Sequence, residues 1–153
     1  MSADLPAGVA FRLATAADAV RVAELLGARG AQAVGVGPGI SAFVIADSPA
    51  GPIATIALEI LGGDALIRSV CVHPSWRAQG VGTALVEHVL TEAAMEAVDS
   101  VYVLSSAADR FFARFGFVRI AWSEMPFTIT RALSQRGAAV PGASAMQLLL
   151  ADP

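Results

Sequence analysis

The sequence predicts an α/β (α+β) fold in a single domain spanning residues 1–153, with a mixed, mostly antiparallel sheet flanked by helices. Three observations lead there. Through the middle of the chain, β-branched apolar runs are separated by Gly-, Pro- and Asp-rich turns. After residue 80 the apolar residues recur at helical spacing instead. That helical stretch joins two strand-like runs, and a strand-helix-strand crossover makes its two strands parallel.

Each element has its own local reason. Val9, Phe11 and Leu13 alternate with Ala10 and Arg12, a half-buried strand that stops at Thr15. Thr15 resembles a helix N-cap with Asp18 in the first turn, and the helix it starts is expected over 16–28, with Ala19, Val22, Ala23 and Leu26 on its apolar face. Gly27 and Gly30 end it. Residues 31–39, with four Gly or Pro and no period, read as a mobile loop. Strands are expected over 43–46 and 53–61, joined by the turn chemistry of 47–52, and a further strand over 65–72 follows the Gly62-Gly63-Asp64 turn. Pro74 ends that strand. A strongly amphipathic helix is predicted from Gly80 to about Ala97, with Glu87, Glu92 and Glu96 on its solvated face. Residues 101–104 form a short buried strand. Ser106 or Asp109 then caps a short helix through Phe115, Gly116 ends it in the left-handed conformation, and 117–121 is a strand. Helix over 124–136 and a last strand over 145–150, laid back into the sheet, complete the chain.

Composition narrows the chemistry. All ten basic groups are arginine, against thirteen acids, for a formal net charge of −3. Without lysine there is no Walker A phosphate loop and no Schiff base. The acidic balance argues against a nucleic-acid partner, so an anionic ligand has to be held locally. No apolar stretch reaches the ~18 residues of a membrane span, and the N-terminus lacks the basic and apolar regions of a signal peptide. A soluble cytoplasmic protein without a membrane partner is expected. The lone Cys71 sits in an apolar run as a buried thiol; it is no thiol cluster, and no metal site is expected.

The most informative stretch runs from Val70 to Thr83, a buried strand leading through a glycine-bearing turn into the long helix. Gly80 and Gly82 allow positive φ and close approach of backbone to ligand, and free N–H groups at a helix start attract phosphate. Arg77 adds a bidentate cation. The alternative is that both glycines serve only a tight strand-to-helix connection. A dinucleotide fingerprint does not fit, because it needs glycine where Leu85 stands and an acid where Leu104 and Ser105 stand.

The run Arg77-Ala78-Gln79-Gly80-Val81-Gly82, preceded by Val70-Cys71-Val72-His73-Pro74 and followed by Phe111-Phe112-Ala113-Arg114-Phe115-Gly116-Phe117, closely resembles the GNAT N-acetyltransferase superfamily. The resemblance covers most of the chain and implies a GNAT fold whose central parallel strands splay to admit acetyl-CoA. It places the pyrophosphate on the amides of Arg77, Ala78, Gln79, Gly80, Val81, Gly82 and Thr83. The pantetheine arm then lies along Val70, Cys71 and Val72, with Phe112 beside the coenzyme. The segments Leu66-Ile67-Arg68-Ser69-Val70, Val103-Leu104-Ser105-Ser106 and Met125-Pro126 with Ile129 and Arg131 resemble the small amino-acid acetyltransferases of arsenic-resistance clusters. More distantly, they are similar to the acetyltransferase domain of N-acetylglutamate synthase. Homodimers are common in the superfamily, so a dimer is an expectation.

The implied reaction is attack of a small amine on the thioester in a ternary complex, with a strand N–H polarising the carbonyl. Glu59, the one acid in an apolar strand, is the candidate base acting through water, against a solvent-facing or edge acid. His73 and Glu124 are weaker candidates. Many family members carry a proton-donating tyrosine where Phe112 stands; phenylalanine cannot donate, which leaves Ser105, Ser106 or solvent to protonate the thiolate. Arg68, with Arg12 and Arg131 behind it, is the candidate for binding an acceptor carboxylate, against a structural salt bridge to Glu59. Rival readings are acetylation of a protein N-terminus or an antibiotic amine, and an acyl-CoA-binding regulatory module without turnover.

Overall fold

The computed structural model describes residues 5–26, 42–105, 108–135 and 143–150. Its elements in chain order are β1 Ala10–Leu13, α1 Ala19–Leu26, β2 Ala42–Ser48, β3 Gly51–Leu61, β4 Asp64–Val72, α2 Val81–Met95, β5 Ser100–Ser105, α3 Asp109–Ala113, β6 Val118–Ile120, α4 Phe127–Gln135 and β7 Ser144–Leu149. The strands are hydrogen-bonded in the order β1-β2-β3-β4-β5-β7-β6. As expected from the crossover, β4 and β5 are parallel, and β7 returns between β5 and β6. The expected loop over 31–39 and the cap candidate Ser106 lie outside the described residues. The chain forms two compact units, Met1–Glu59 with Arg68–Glu92, and Ile60–Ile67 with Ala93–Pro153.

In the first unit β1, β2 and β3 form an antiparallel meander. The turn between β2 and β3 is tighter than the 47–52 run suggested: Asp47 and Ser48 pair with Pro52 and Gly51, leaving only Pro49 and Ala50 at the tip. The register shifts between Ala46 and Asp47, opposite Pro52, which has no N–H to give the ladder. One face of the meander, lined by Phe43, Ile45 and Ala57, packs against Val22 of α1. The helix entry differs from a plain N-cap: residues 16–18 form a 3-10 turn, and the Thr15 N–H and hydroxyl both donate to the Asp18 carboxylate, at 2.7 and 3.3 Å.

Asp18 also receives two bonds from the Arg12 guanidinium, at 2.8 and 2.7 Å, while Arg12 Nε donates to Asp47 at 2.7 Å. Arg12 is therefore held by two carboxylates within the fold. The Arg12 bonds, seconded by the Thr15 N–H, hold Asp18 well below the usual carboxylate range. A carboxyl whose pKa is depressed on folding contributes stability that is fully present above its unfolded pKa of about 3.9 and is lost as pH falls through the folded value. The urea midpoint is accordingly expected to drop on acidification below about pH 4, and to drop less in Asp18→Asn. Equal acid sensitivity of the two proteins in urea titrations would show that Asp18 does not couple to folding.

Helix α2 is less amphipathic than the spacing implied. Val81, Ala84, Leu85, Val86, Val89 and Ala93 are buried, while the outward side mixes polar Thr83, Glu87, His88, Thr91 and Glu92 with Leu90 and exposed Ala94 and Met95. Each fully buried Leu or Val here contributes roughly 1.5–3 kcal/mol.

In the second unit Ile129 and Leu133 of α4, with Met125 just before it, pack on a sheet face made by Leu66, Tyr102 and Ala145, with Leu61, Leu104 and Ile120 at the margin. Tyr102 is core, as its place in a strand suggested; its hydroxyl accepts from the Gln147 amide at 2.9 Å, and burial pushes its pKa up. Helix α3 begins one residue earlier than a cap at Asp109 would allow. Ala108 is the cap, its N–H donating to Ser105 Oγ at 2.8 Å, and Asp109 is the first helical residue. The helix ends at Ala113, short of the expected Phe115, and Gly116 at φ +100° closes the turn that follows it. The following strand is shorter than 117–121, because Phe117 turns inward to pack edge-to-face on Phe112.

Candidate active site

The first unit assembles the Val70–Thr83 segment, and the geometry begins with β4. Among the described residues the parallel ladder joins residues 64–67 of β4 to 100–103 of β5. Residues 65–67 are buried, whereas every residue from Arg68 to Val72 is half-exposed. The change begins at Arg68, next to Ser69, which has φ +57° inside the strand. A non-glycine residue there costs of the order of 1–3 kcal/mol and has to be held by its surroundings. The hold is Thr55 of β3, completely buried, whose hydroxyl donates to the Ser69 carbonyl at 2.8 Å.

Past β4 the chain forms a compact turn. The His73 N–H donates to the Ile53 carbonyl at 2.8 Å, extending the β3 pairing by one residue. Its Nδ1 accepts the Ser75 N–H at 3.1 Å, capping the 3-10 turn Pro74–Trp76, so His73 acts on the backbone. Arg77 is exposed and its Nε reaches back to the Val72 carbonyl at 3.3 Å, while Gln79 Nε2 donates to the Ser75 carbonyl at 3.2 Å. Ala78 and Gly80 both take positive φ, +63° and +85°.

The expectation that Gly80 and Gly82 would supply the positive-φ positions is half right. Gly82 lies in the first turn of α2 and is not among the positive-φ residues; Ala78 takes that conformation instead. Alternation of left-handed and ordinary conformations turns successive N–H groups to one side, the backbone concavity that binds anions. It runs into the first turn of α2, where helix geometry leaves the N–H groups of Val81, Gly82 and Thr83 without an intrahelical acceptor. That first turn contains no acid. A phosphate has the positive end of the helix dipole to itself, with Arg77 as the local cation.

Glu59 and Arg68 also belong to this unit. Glu59 is 4% exposed, which removes the solvent-facing alternative, and Arg68 Nη1 donates to its carboxylate at 3.3 Å. The candidate base and the candidate acceptor-binding cation are thus a buried ion pair on neighbouring strands. Cys71 is half-buried, and its Sγ donates to the Leu25 carbonyl at 3.0 Å.

The second unit holds the other candidates. Ser105 is buried, its hydroxyl oxygen accepting the Ala108 N–H while the group also bonds the Asp109 carboxylate. Asp109 is held below the usual carboxylate range chiefly by Arg119. Ser105 thus anchors the start of α3. Phe112 is buried between Phe111 and Phe117, edge-to-face to both, and Arg114 lies over the Phe111 ring, 5.3 Å from its centroid. Arg131 is on the exposed side of α4, and Glu124 accepts the Ala121 N–H at 2.8 Å as a helix cap. Among the described residues, no group of three His, Cys, Asp or Glu side chains is placed to hold a metal, and no helix is long and apolar enough to cross a membrane.

The role of Thr55 and the positive φ of Ser69 and Ala78 have no counterpart among the sequence expectations, which name Ala78 only for its amide. A threonine inside the apolar run of β3 is a usable signal, since a buried hydroxyl needs a partner. A serine within a strand and an alanine in a turn give no sign of positive φ.

A strand interrupted by a left-handed residue, followed by an amide cradle at the start of a long helix, defines a mixed α/β protein with a backbone concavity suited to an anion. Residues 39–119 match the family model described as an acetyltransferase (GNAT) domain, and the chain belongs to that family. No curated protein matches it. Among solved structures, it is similar to N-acetylglutamate synthase from Neisseria gonorrhoeae, complexed with coenzyme A and N-acetyl-glutamate, at 21% identity and a TM-score of 0.78, covering 96% of this chain and 36% of that one. The chain thus spans about a third of the length of that synthase. Rv2747 from Mycobacterium tuberculosis, in complex with CoA, is 23% identical with a TM-score of 0.71, over 93% and 99% of the two chains. The ribosomal-protein-S18-alanine N-acetyltransferase from Escherichia coli is 15% identical with a TM-score of 0.72, over 95% and 96%. These likenesses bear on the fold.

Proposed function

We propose that this chain is an acetyl-CoA-dependent N-acetyltransferase that acetylates the amine of a small molecule, a free amino acid or an amino-acid analogue, by direct attack in a ternary complex. The observation that carries the reading is the amide cradle of Arg77–Thr83 at an acid-free helix start, fed by the half-exposed end of β4. Amides and one arginine suit a pyrophosphate in a protein without lysine. Acetyl-CoA supplies the acyl group as a thioester. Residues 70–72 of the strand offer N–H and C=O groups to the pantetheine arm and a donor to the thioester oxygen.

The acceptor reading rests on Glu59 and Arg68. Glu59, buried in β3 beside Arg68, is the base that takes the ammonium proton through water on this reading. Arg68 is the cation this reading sets opposite a substrate carboxylate. Holding amine and thioester in attacking geometry supplies most of the acceleration, worth up to roughly 7–11 kcal/mol. Phe112 gives the leaving thiolate no proton, so the thiolate departs as the anion or takes a proton from solvent or a serine hydroxyl.

The test is thiol release from acetyl-CoA against a panel of free amino acids that includes glutamate and arsenic-bearing amino-acid analogues, beside N-terminal peptides and aminoglycosides. CoA release with one or a few amino acids is expected. Release only with peptides or aminoglycosides would replace the acceptor class. Coenzyme binding with no release from any acceptor would leave an acyl-CoA-binding regulatory module.

A further inference from the structure

We propose that Thr55 is a positioning residue for the thioester end of the coenzyme, acting through the backbone of β4. The inference rests on the coenzyme reading above. Thr55 lies in the middle of β3, opposite Ile45 of β2, in a run that is buried from Ile53 to Glu59. It is completely buried, so its hydroxyl cannot be a surface group and needs a partner in the fold. The partner is unusual: the carbonyl of Ser69, a residue at φ +57° within a strand, 2.8 Å away.

The geometry gives this bond a specific consequence. Residues 65–67 are buried, the exposure begins at Arg68, and Val70, Cys71 and Val72, after Ser69, are half-exposed. A left-handed residue bends a strand and re-aims the peptide groups that follow it. Ser69 therefore sets the direction in which the N–H and C=O groups of residues 70–72 are presented, and Thr55 holds Ser69 in the conformation that does so. Without the hydroxyl, the strand can relax to ordinary extended geometry, and its groups no longer meet a pantetheine arm in register. The cradle of residues 77–83 has anchors of its own beyond β4, the His73 cap and the Gln79 side-chain bond to the Ser75 carbonyl. It does not depend on Thr55. Thr55 thus acts on one half of the coenzyme and not the other.

That asymmetry is the test. Calorimetric titration compares CoA with 3′-phospho-ADP, the nucleotide portion without the pantetheine arm, on wild type, Thr55→Val and Thr55→Ser. Thr55→Val keeps the volume and removes the donor; it is expected to weaken CoA about tenfold and leave 3′-phospho-ADP unchanged. Thr55→Ser keeps the donor and is expected to match wild type for both ligands. Ser69→Val opposes the same conformation at its source, because a β-branched side chain disfavours positive φ, and is expected to reproduce the CoA-selective loss in the folded protein. Equal weakening of both ligands would reduce Thr55 to a general structural role and overturn the proposal. So would undiminished CoA affinity in either Thr55→Val or Ser69→Val. If wild type itself binds neither CoA nor the nucleotide, the coenzyme reading fails, and this inference with it.

Discussion

A tryptophan in place of Gly82 is expected to weaken coenzyme binding by about a hundredfold or more, roughly 2.7 kcal/mol, without lowering the melting temperature. Gly82 is the second residue of α2. Helical Cα–Cβ bonds tilt toward the N-terminus, so a side chain there leans over the first-turn N–H groups. An indole would fill the volume a pyrophosphate needs. The helix itself has no reason to suffer, because glycine is about 1 kcal/mol poorer in helix than ordinary residues. Arg77→Ala is the milder partner experiment, with an expected loss of about tenfold, since the exposed guanidinium contributes one charge-assisted contact. Calorimetry with CoA and a thermal melt on each variant decide the matter. Retained affinity in Gly82→Trp would place the coenzyme elsewhere.

Arg68→Met is expected to destabilise the fold by about 3–5 kcal/mol, a large part of the 5–15 kcal/mol that holds a domain together. The reason is the carboxylate it strands. Glu59 is 4% exposed and accepts from Arg68, so removing the cation leaves a buried anion short of its charge partner. Replacing both groups, Arg68→Met with Glu59→Leu, is expected to recover most of the loss, because a buried pair replaced by apolar groups of similar volume is often neutral. Urea unfolding of the two single variants and the double variant measures the coupling. The double variant is also expected to fold and bind CoA without acetylating an amino acid, separating the pair's role in stability from its role toward the acceptor. A single Arg68→Met variant as stable as wild type would show that the pair contributes little to folding.

What the sequence made legible, and what it hid, follows from the range of the interactions involved. The helices and strands were readable because apolar periodicity is local, and the parallel step of β4 and β5 because a crossover connection fixes direction. Boundaries drifted where pairing extends past the apolar run: Asp47 and Pro52 look like turn residues but are held in the ladder by their neighbours. The α2 helix is less sharply amphipathic than its acids suggest, because Ala94 and Met95 share its exposed side. The cradle was visible in Arg77, Gly80 and Gly82, yet the left-handed alanine at 78 was not, since nothing in an alanine's chemistry asks for that conformation. The pairing of Arg68 with Glu59 was legible only as one of two options. Deciding between them required the register of two strands, a non-local fact. The bend at Ser69 and its tie to Thr55 join residues fourteen positions apart and have no short-range signature.

The composition of the anion site has a kinetic consequence. A cradle made of amide dipoles and a single guanidinium acts over a few ångströms, whereas the formal charge of −3 is felt across the whole surface. A polyanionic coenzyme approaching this protein meets repulsion first and capture only at contact. Moderate salt, which screens the distant field more than the short contacts, should therefore speed encounter while leaving the residence time nearly untouched. In that respect the site behaves unlike a lysine-rich phosphate binder, for which ions in solution compete with the very charges that attract the ligand.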